Sequence, residues 1–285
     1  MKISTEIDSI SKLCSEQKAV EYVAKAGFDA WDFSMFSMCK YSWSQKNCLP
    51  TDHPLAGNGY LQFARELKQI GLDNGIICNQ SHAPFPVDCA QIRSYLKRAI
   101  ECTAEAGGEI CVIHPDNNKS PEENAEMYLE LLPFAKSCGV KIATENMWNW
   151  DREKDHAVSA ACSDENNFNA HLDAVNDPYF VACLDIGHAE MKGCNTSAVD
   201  MIHALGDRLQ ALHIHDNDQW HDSHQIPFSM QIDFAAMVKA LKEIGYGGYL
   251  TLEAANYLPA AYNADTVFEG VCNLAASAKR LASMF

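Results

Sequence analysis

The side chains best equipped for chemistry in this chain are imidazoles and carboxylates that close short apolar runs. They are His82 in NQSHAP, His114 in CVIHPD, Glu145 in IATEN, Asp185 and His188 in CLDIGHAEM, His213 and His215 in LHIHDND, and Glu253 in LTLEA, with Asp222 and His224 following in WHDSHQIP. Any one of them alone reads as an ordinary hydrogen-bonded or capping residue. Together they would crowd many charges into one place, and such a gathering repels itself unless cations neutralise it. The expected chemistry is that of a divalent metal. Imidazole and carboxylate donors without thiolate suit Mn, Co, Mg or Zn, and the number of histidines leans toward the transition metals. In His213-Ile214-His215, strand alternation sends both imidazoles to one face, so that one can ligate while the other packs below.

Bringing these residues together requires that the runs be strands. Eight such runs recur: Ile3 to Ile7, Phe28 to Phe33, Gly75 to Asn79, Glu109 to His114, Val140 to Glu145, Phe180 to Asp185, Leu209 to His215 and Tyr249 to Glu253. Stretches with helical spacing separate them, the alternation that builds βαβ units and a parallel sheet. Eight is the number a closed barrel requires, and 285 residues fit one such barrel. The fold class predicted is α/β, a single-domain (β/α)8 TIM barrel over residues 1–285, with its chemistry at the C-terminal strand ends.

Helix punctuation supports this. Ser120, Pro121 and Glu123 form an N-cap, a first-turn proline and a capping-box acid before AEMYLELLPFAKSCG, which Gly139 stops. Gly245 and the glycine of YVAKAGFDA end two further helices. Two connections exceed what a barrel needs: Met35 to Gly59, with Phe36, Tyr41 and Trp43, and Trp148 to Asn169, with Trp148 and Trp150. Each is a lid over the mouth or a packed surface insertion.

The formal net charge of −16 disfavours a generalised basic surface for nucleic acid, while leaving room for a local basic cleft. The 12 cysteines are scattered without a CxxC pair, which fits reduced thiols in a cytoplasmic protein. Neither an apolar leader nor a membrane-length apolar run is visible, so no membrane partner is expected. GxxxxGK[ST] and GxGxxG are absent, so the sequence offers no phosphate-binding loop.

The pattern of strand-end ligands resembles the xylose isomerase-like TIM barrel superfamily, which holds sugar isomerases and epimerases together with endonuclease IV, over essentially the whole chain. HIHDNDQWHDSHQIPF and LKEIGYGGYLTLEA look like its sugar phosphate isomerase/epimerase branch. In the ketose 3-epimerases of that group, Glu, Asp, His and Glu from the fifth to eighth strands hold one metal. The resemblance implies that role for Glu145, Asp185, His215 and Glu253, with Glu145 and Glu253 also moving a proton at the carbon beside a carbonyl. It further implies that His188 contacts a substrate oxygen and that Asp151, six after Glu145, stands for the substrate-binding acid. His221, six after His215, occupies the position where those enzymes use Arg.

Endonuclease IV uses the same four ligands plus five more, here His82, His114, His188, Asp222 and His224, so the resemblance implies one to three ions. The reading is a metal-dependent isomerase or epimerase acting on a small-molecule sugar, polyol or their phosphates. An endonuclease IV-like phosphodiesterase with a multinuclear zinc site is the alternative. Related lyases or dehydratases, a carbohydrate-binding protein without turnover, and a homo-oligomeric assembly stay open.

Overall fold

The structure, a computed structural model describing residues 1–285, arranges eight strands in one parallel sheet. They are β1 (Lys2–Glu6), β2 (Ala30–Ser34), β3 (Ile77–His82), β4 (Ile110–Val112), β5 (Lys141–Glu145), β6 (Phe180–Asp185), β7 (Leu209–His213) and β8 (Tyr249–Leu252). The sheet runs β7-β6-β5-β4-β3-β2-β1-β8. A parallel bridge from Ile214 to Leu252 joins its two ends, with Ile214 N–H donating to Thr251 O and Glu253 N–H to Ile214 O, both at 2.9 Å. The barrel therefore closes one residue beyond β7. Around it lie α1 (Glu16–Ala26), α2 (Tyr60–Asp73), α3 (Ile92–Ala106), α4 (Pro121–Ser137), α5 (Glu165–Val175), α6 (Ala198–Leu205), α7 (Phe234–Glu243) and α8 (Val267–Ser283).

Period-2 alternation explains how the strands aim their ends. Val112, Ala143, Val181, Cys183 and Ala211 form a small apolar cluster separate from the main core. Two residues beyond Val112 comes His114, beyond Ala143 Glu145, beyond Cys183 Asp185 and beyond Ala211 His213. The interior face thus carries a small apolar residue low in the barrel and a polar one above it. The other side of the interior carries a polar network, with Gln80 Nε2 donating to Asp32 Oδ2 at 2.9 Å and Thr251 Oγ1 to Gln80 Oε1 at 3.3 Å. The main core, 71 buried residues against five in the inner cluster, lies between sheet and helices.

The helix signals hold: Ser120 caps α4 in a capping box, and Gly27 ends α1 at φ 90°. Gly139 and Gly245 turn the chain at φ 70° and 71°.

Several boundaries differ from expectation. The third strand begins at Ile77 and ends on His82, not at Asn79, because its ladder continues to pair Ser34 with His82. The fourth stops at Val112 and the seventh at His213, where the chain leaves the ladder toward the mouth. The connection after β2 folds an antiparallel hairpin, Lys40–Ser42 with Asn47–Leu49, and the one after β5 folds another, Trp148–Asp151 with His156–Ser159. The second connection ends before Asn169, since Asp164 caps α5 through Asn166 and Asn167 N–H.

Candidate functional site

Strand geometry delivers all nine expected ligands to one end of the barrel, in three linked groups. His188, His215, Asp222 and His224 place one donor atom each within 4.8 Å of one another, and so do His82, His114 and Glu145. Glu145, Asp185 and Glu253 form a further such group with His213.

The first group is held from outside. After β6, the Asp185 carboxylate accepts His188 N–H at 2.7 Å and so caps the short turn Ile186–Ala189 that carries His188. His188 Nδ1–H donates to Asn146 O at 2.8 Å and His224 Nδ1–H to Glu253 O at 2.7 Å. With each Nδ1–H committed to a carbonyl, Nε2 is left to face the shared carboxylate of Asp222, 3.4 Å from His188 and 3.1 Å from His224, as an N–H donor when the ring is protonated or as a lone pair toward a cation held between them. His215 Nε2 lies 3.1 Å from Asp185 Oδ1 and 3.4 Å from Asp222 Oδ1. Gly187 makes room for it, since a Cβ there would lie 2.0 Å from the His215 ring.

In the second group, His82 bridges Glu253 Oε1 at 3.1 Å and His114 Nε2 at 2.7 Å, while His114 Nε2 lies 3.1 Å from Glu145 Oε2. His213 sits beneath, 3.0 Å from Glu145 Oε1, 3.6 Å from Glu253 Oε2 and 3.3 Å from Asp32 Oδ2.

The electrostatics follow from this crowding. Burial alone would raise the Glu145 carboxyl, but the His213 and His114 imidazoles outweigh it and hold it well below the ordinary range. Burial works equally against Glu253, and His213 and His82 hold it low. Asp222, opposed by burial, is kept well below the ordinary range by His188 and His224. It in turn lifts His224 to about 10 against the effect of burial.

A divalent cation fits this donor set. Asp185 Oδ2, His215 Nε2 and Asp222 Oδ1 are buried without a hydrogen-bond partner, and buried polar atoms ordinarily have one. A cation facing these oxygens and imidazole nitrogens would satisfy them together.

A cavity of about 570 Å³ opens over the cluster, with His82, His114, Glu145, His188, Asp222, His224 and Glu253 in its lining. Phe36, Phe85 and Trp148 form apolar walls, Asn117, Asn118 and Asn149 offer amides, and Asp8, Asp88 and Asp116 are acidic. Lys12 is the one lysine or arginine there, and its Nζ is tied to Asp8 at 2.5 Å.

Two expected substrate residues are not brought in. Asp151 spends its carboxylate on the turn of its own hairpin, accepting Glu153 N–H at 2.9 Å and Lys154 N–H at 3.1 Å. His221 is exposed, 2.8 Å from Asp218 and stacked on Trp150 at 5.6 Å. Neither lines the cavity. The sequence reading passed over Asn146, whose side chain clamps Asp185 N–H and O at 2.8 and 2.9 Å while its carbonyl fixes His188. Its signal was its place directly after Glu145. It also passed over Asp32, which carried no motif.

The family model described as xylose isomerase-like TIM barrel matches residues 20–274. The uncharacterized protein y4fM of Sinorhizobium fredii is 37% identical over 213 residues, covering 70% of this chain and 61% of its own length. The uncharacterized protein MJ1311 of Methanocaldococcus jannaschii is 24% identical over 290 residues, covering 90% of both chains. Among solved structures, D-psicose 3-epimerase with D-tagatose, from Clostridium cellulolyticum H10, superposes with a TM-score of 0.70 at 15% identity, covering 99% of each chain.

Proposed function

The chain belongs to the xylose isomerase-like TIM barrel family, and from that premise we propose that it is a divalent-metal-dependent sugar isomerase or epimerase that moves a proton at the carbon beside a carbonyl. The observation that carries this reading is the convergence of Glu145 and Glu253, whose carboxylates belong to one group within 4.8 Å and border the same cavity. Both are held ionised, so either can serve as the base, and the partner that returns a proton must first take one up from solvent. One takes the proton from carbon and the other returns one to the opposite face. The likeness to a ketose epimerase structure supports the substrate class.

Glu145, Asp185, His215 and Glu253 would hold the principal cation, with His82, His114, His188, Asp222 and His224 available to one or two more. Bound there, a Mn, Zn, Co or Mg ion supplies Lewis-acid polarisation of substrate oxygens. His188, bordering the cavity with Nδ1 committed to Asn146 O, turns Nε2 toward a substrate oxygen as well as Asp222. The asparagine amides offer hydrogen bonds to hydroxyls, and the aromatic walls pack on the CH faces of a sugar.

The phosphodiesterase reading is favoured by one observation: Asp222 and His224 complete a donor group with His188 and His215 apart from the glutamate pair. The mouth weighs against it. Asp8, Asp88 and Asp116 add three carboxylates to those of the ligand cluster and the cavity's single lysine is paired, whereas a duplex needs clustered cations.

Solvent-deuterium exchange into ketoses, followed by NMR beside metal content per chain, tests the proposal. Glu253→Gln should abolish exchange even when enough metal is added to restore the wild-type ion content, and exchange at the wild-type rate would overturn the acid/base assignment. Abasic-duplex cleavage lost in Asp222→Ala would replace the sugar reading altogether.

A further inference from the structure

The cavity over the ligand cluster does not end at the rim. A second, more open cavity of about 600 Å³ adjoins it, and Phe36, Trp43, Phe85 and Pro86 line both. Phe36 and Phe85 form the inner part of this shared wall. The Phe36 ring meets His82 edge-on at 4.8 Å and Phe85 at 5.3 Å, and Phe85 lies 4.5 Å from His114. Trp43 forms the outer part: its side chain comes from the hairpin after β2, is braced by Tyr41 at 5.0 Å, and is 77% exposed. Phe85, 43% exposed and lining the same two cavities, extends Trp43 into an aromatic surface open to a ligand.

Resting on the sugar isomerase reading above, we propose that the substrate is a saccharide or glycoside of at least two rings. The reacting ring lies over the ligand cluster and the second ring stacks on Trp43 and Phe85 in the outer cavity. A sugar ring pairs an apolar CH face with polar edges, so aromatic faces and hydrogen-bonding groups must sit side by side to hold it. The outer cavity supplies both, with Ser37 and Lys40 beside the aromatic wall. Continuity is the reason to place a covalently joined ring here and not an unrelated ligand, because the shared wall begins on the rings of His82 and His114.

Ketose-ended disaccharides test this, because isomaltulose and lactulose keep a ketose ring joined to a second sugar. Binding to the metal-loaded protein is measured by calorimetry beside D-fructose and D-tagatose, and deuterium exchange is followed on the same four sugars. A disaccharide should bind on the order of tenfold more tightly than a monosaccharide, and Trp43→Ala should erase most of that preference, chiefly through KM. Phe85→Leu serves as the second variant should Trp43→Ala fold poorly. Equal binding of one and two rings overturns the proposal, as does a Trp43→Ala loss shared equally by both sugar classes. A preference for a ketose 6-phosphate that vanishes in Lys40→Ala would assign the outer cavity to an anion. A dimer that Trp43→Ala dissociates would assign it to a second copy of the chain. Tight disaccharide binding without exchange on any sugar would sink the isomerase reading and leave the two-ring site standing.

Discussion

Asp222→Asn separates a metal centre from an ordinary buried polar network. In the wild type, His188, His215 and His224 all direct Nε2 at one carboxylate, at 3.4, 3.4 and 3.1 Å. The asparagine keeps the shape but loses the charge and one acceptor oxygen. For a cation present at 100 times its Kd, binding stabilises the fold by about 2.7 kcal/mol, or about 5 °C in Tm for a chain of this size at roughly 2 °C per kcal/mol. Disturbing even an outer partner of a ligand costs about 10–100-fold in metal affinity. A 100-fold loss leaves about 0.4 kcal/mol at the same concentration, a shift below about 1 °C. The assay is thermal unfolding of chelator-treated protein against added Zn or Mn, with ions per chain measured by elemental analysis. The variant should bind fewer ions and lose most of the shift. An unchanged ion count with the full 5 °C shift would refute the assignment of this quartet as a metal site.

Gly187→Ala should displace His215, because the new Cβ would sit 2.0 Å from its ring; retained far-UV circular dichroism with reduced metal content is expected, and full metal content would count against it. Glu6, buried at the end of β1, is raised by burial and by Asp8 from 4.5 to about 7. Because its folded pKa lies above the unfolded one, wild-type stability is undiminished below 4.5 and declines as pH rises toward 7. Glu6→Gln should therefore gain on wild type across that window, by at most about 3 kcal/mol, and urea melts at pH 5 and 8 that differ equally would contradict this. All 12 cysteines are free; Cys14 is exposed and Cys138 and Cys272 partly so. Native thiol titration should modify Cys14 first, leave the buried thiols unreactive and reach 12 only after denaturation, whereas a lower final count would reveal a disulfide.

What the sequence made legible follows from periodicity. A ligand closing a strand needs only a small apolar residue two positions earlier and an apolar run to fix the face, and Ala143-Thr-Glu145 and Cys183-Leu-Asp185 spell that out. Where the chain leaves the strand, periodicity lapses. Asp151 and His221 were reached by counting six residues beyond a ligand, through connections whose folding the count ignores. The hairpin turn claims Asp151, and His221 joins Asp218 and Trp150 across the surface. The hairpin bearing Trp43 was equally hidden, since nothing in its three-residue strands marks them as paired.

The same separation between strand and loop decides which chemistry the ligands serve. His188, His215 and His224 take their orientation from carbonyls of the barrel top and from Asp222, contacts that would hold a cation whatever substrate approaches. Selection must therefore lie in groups the metal does not recruit. Asp8, Asp88 and Asp116 repel a polyphosphate, and Lys12 answers Asp8 before it can answer a ligand. Phe36, Phe85 and Trp148 cannot form charge-assisted bonds but can cover a ring whose hydroxyls reach the asparagine amides. Exchanging the acidic rim for lysines, as in Asp88→Lys with Asp116→Lys, should leave metal content intact while raising affinity for phosphorylated sugars over neutral ones. If the variant instead kept its preference for neutral sugars, selection would have to come from the ligand cluster, and the division between strand-borne cation binding and loop-borne recognition would fail.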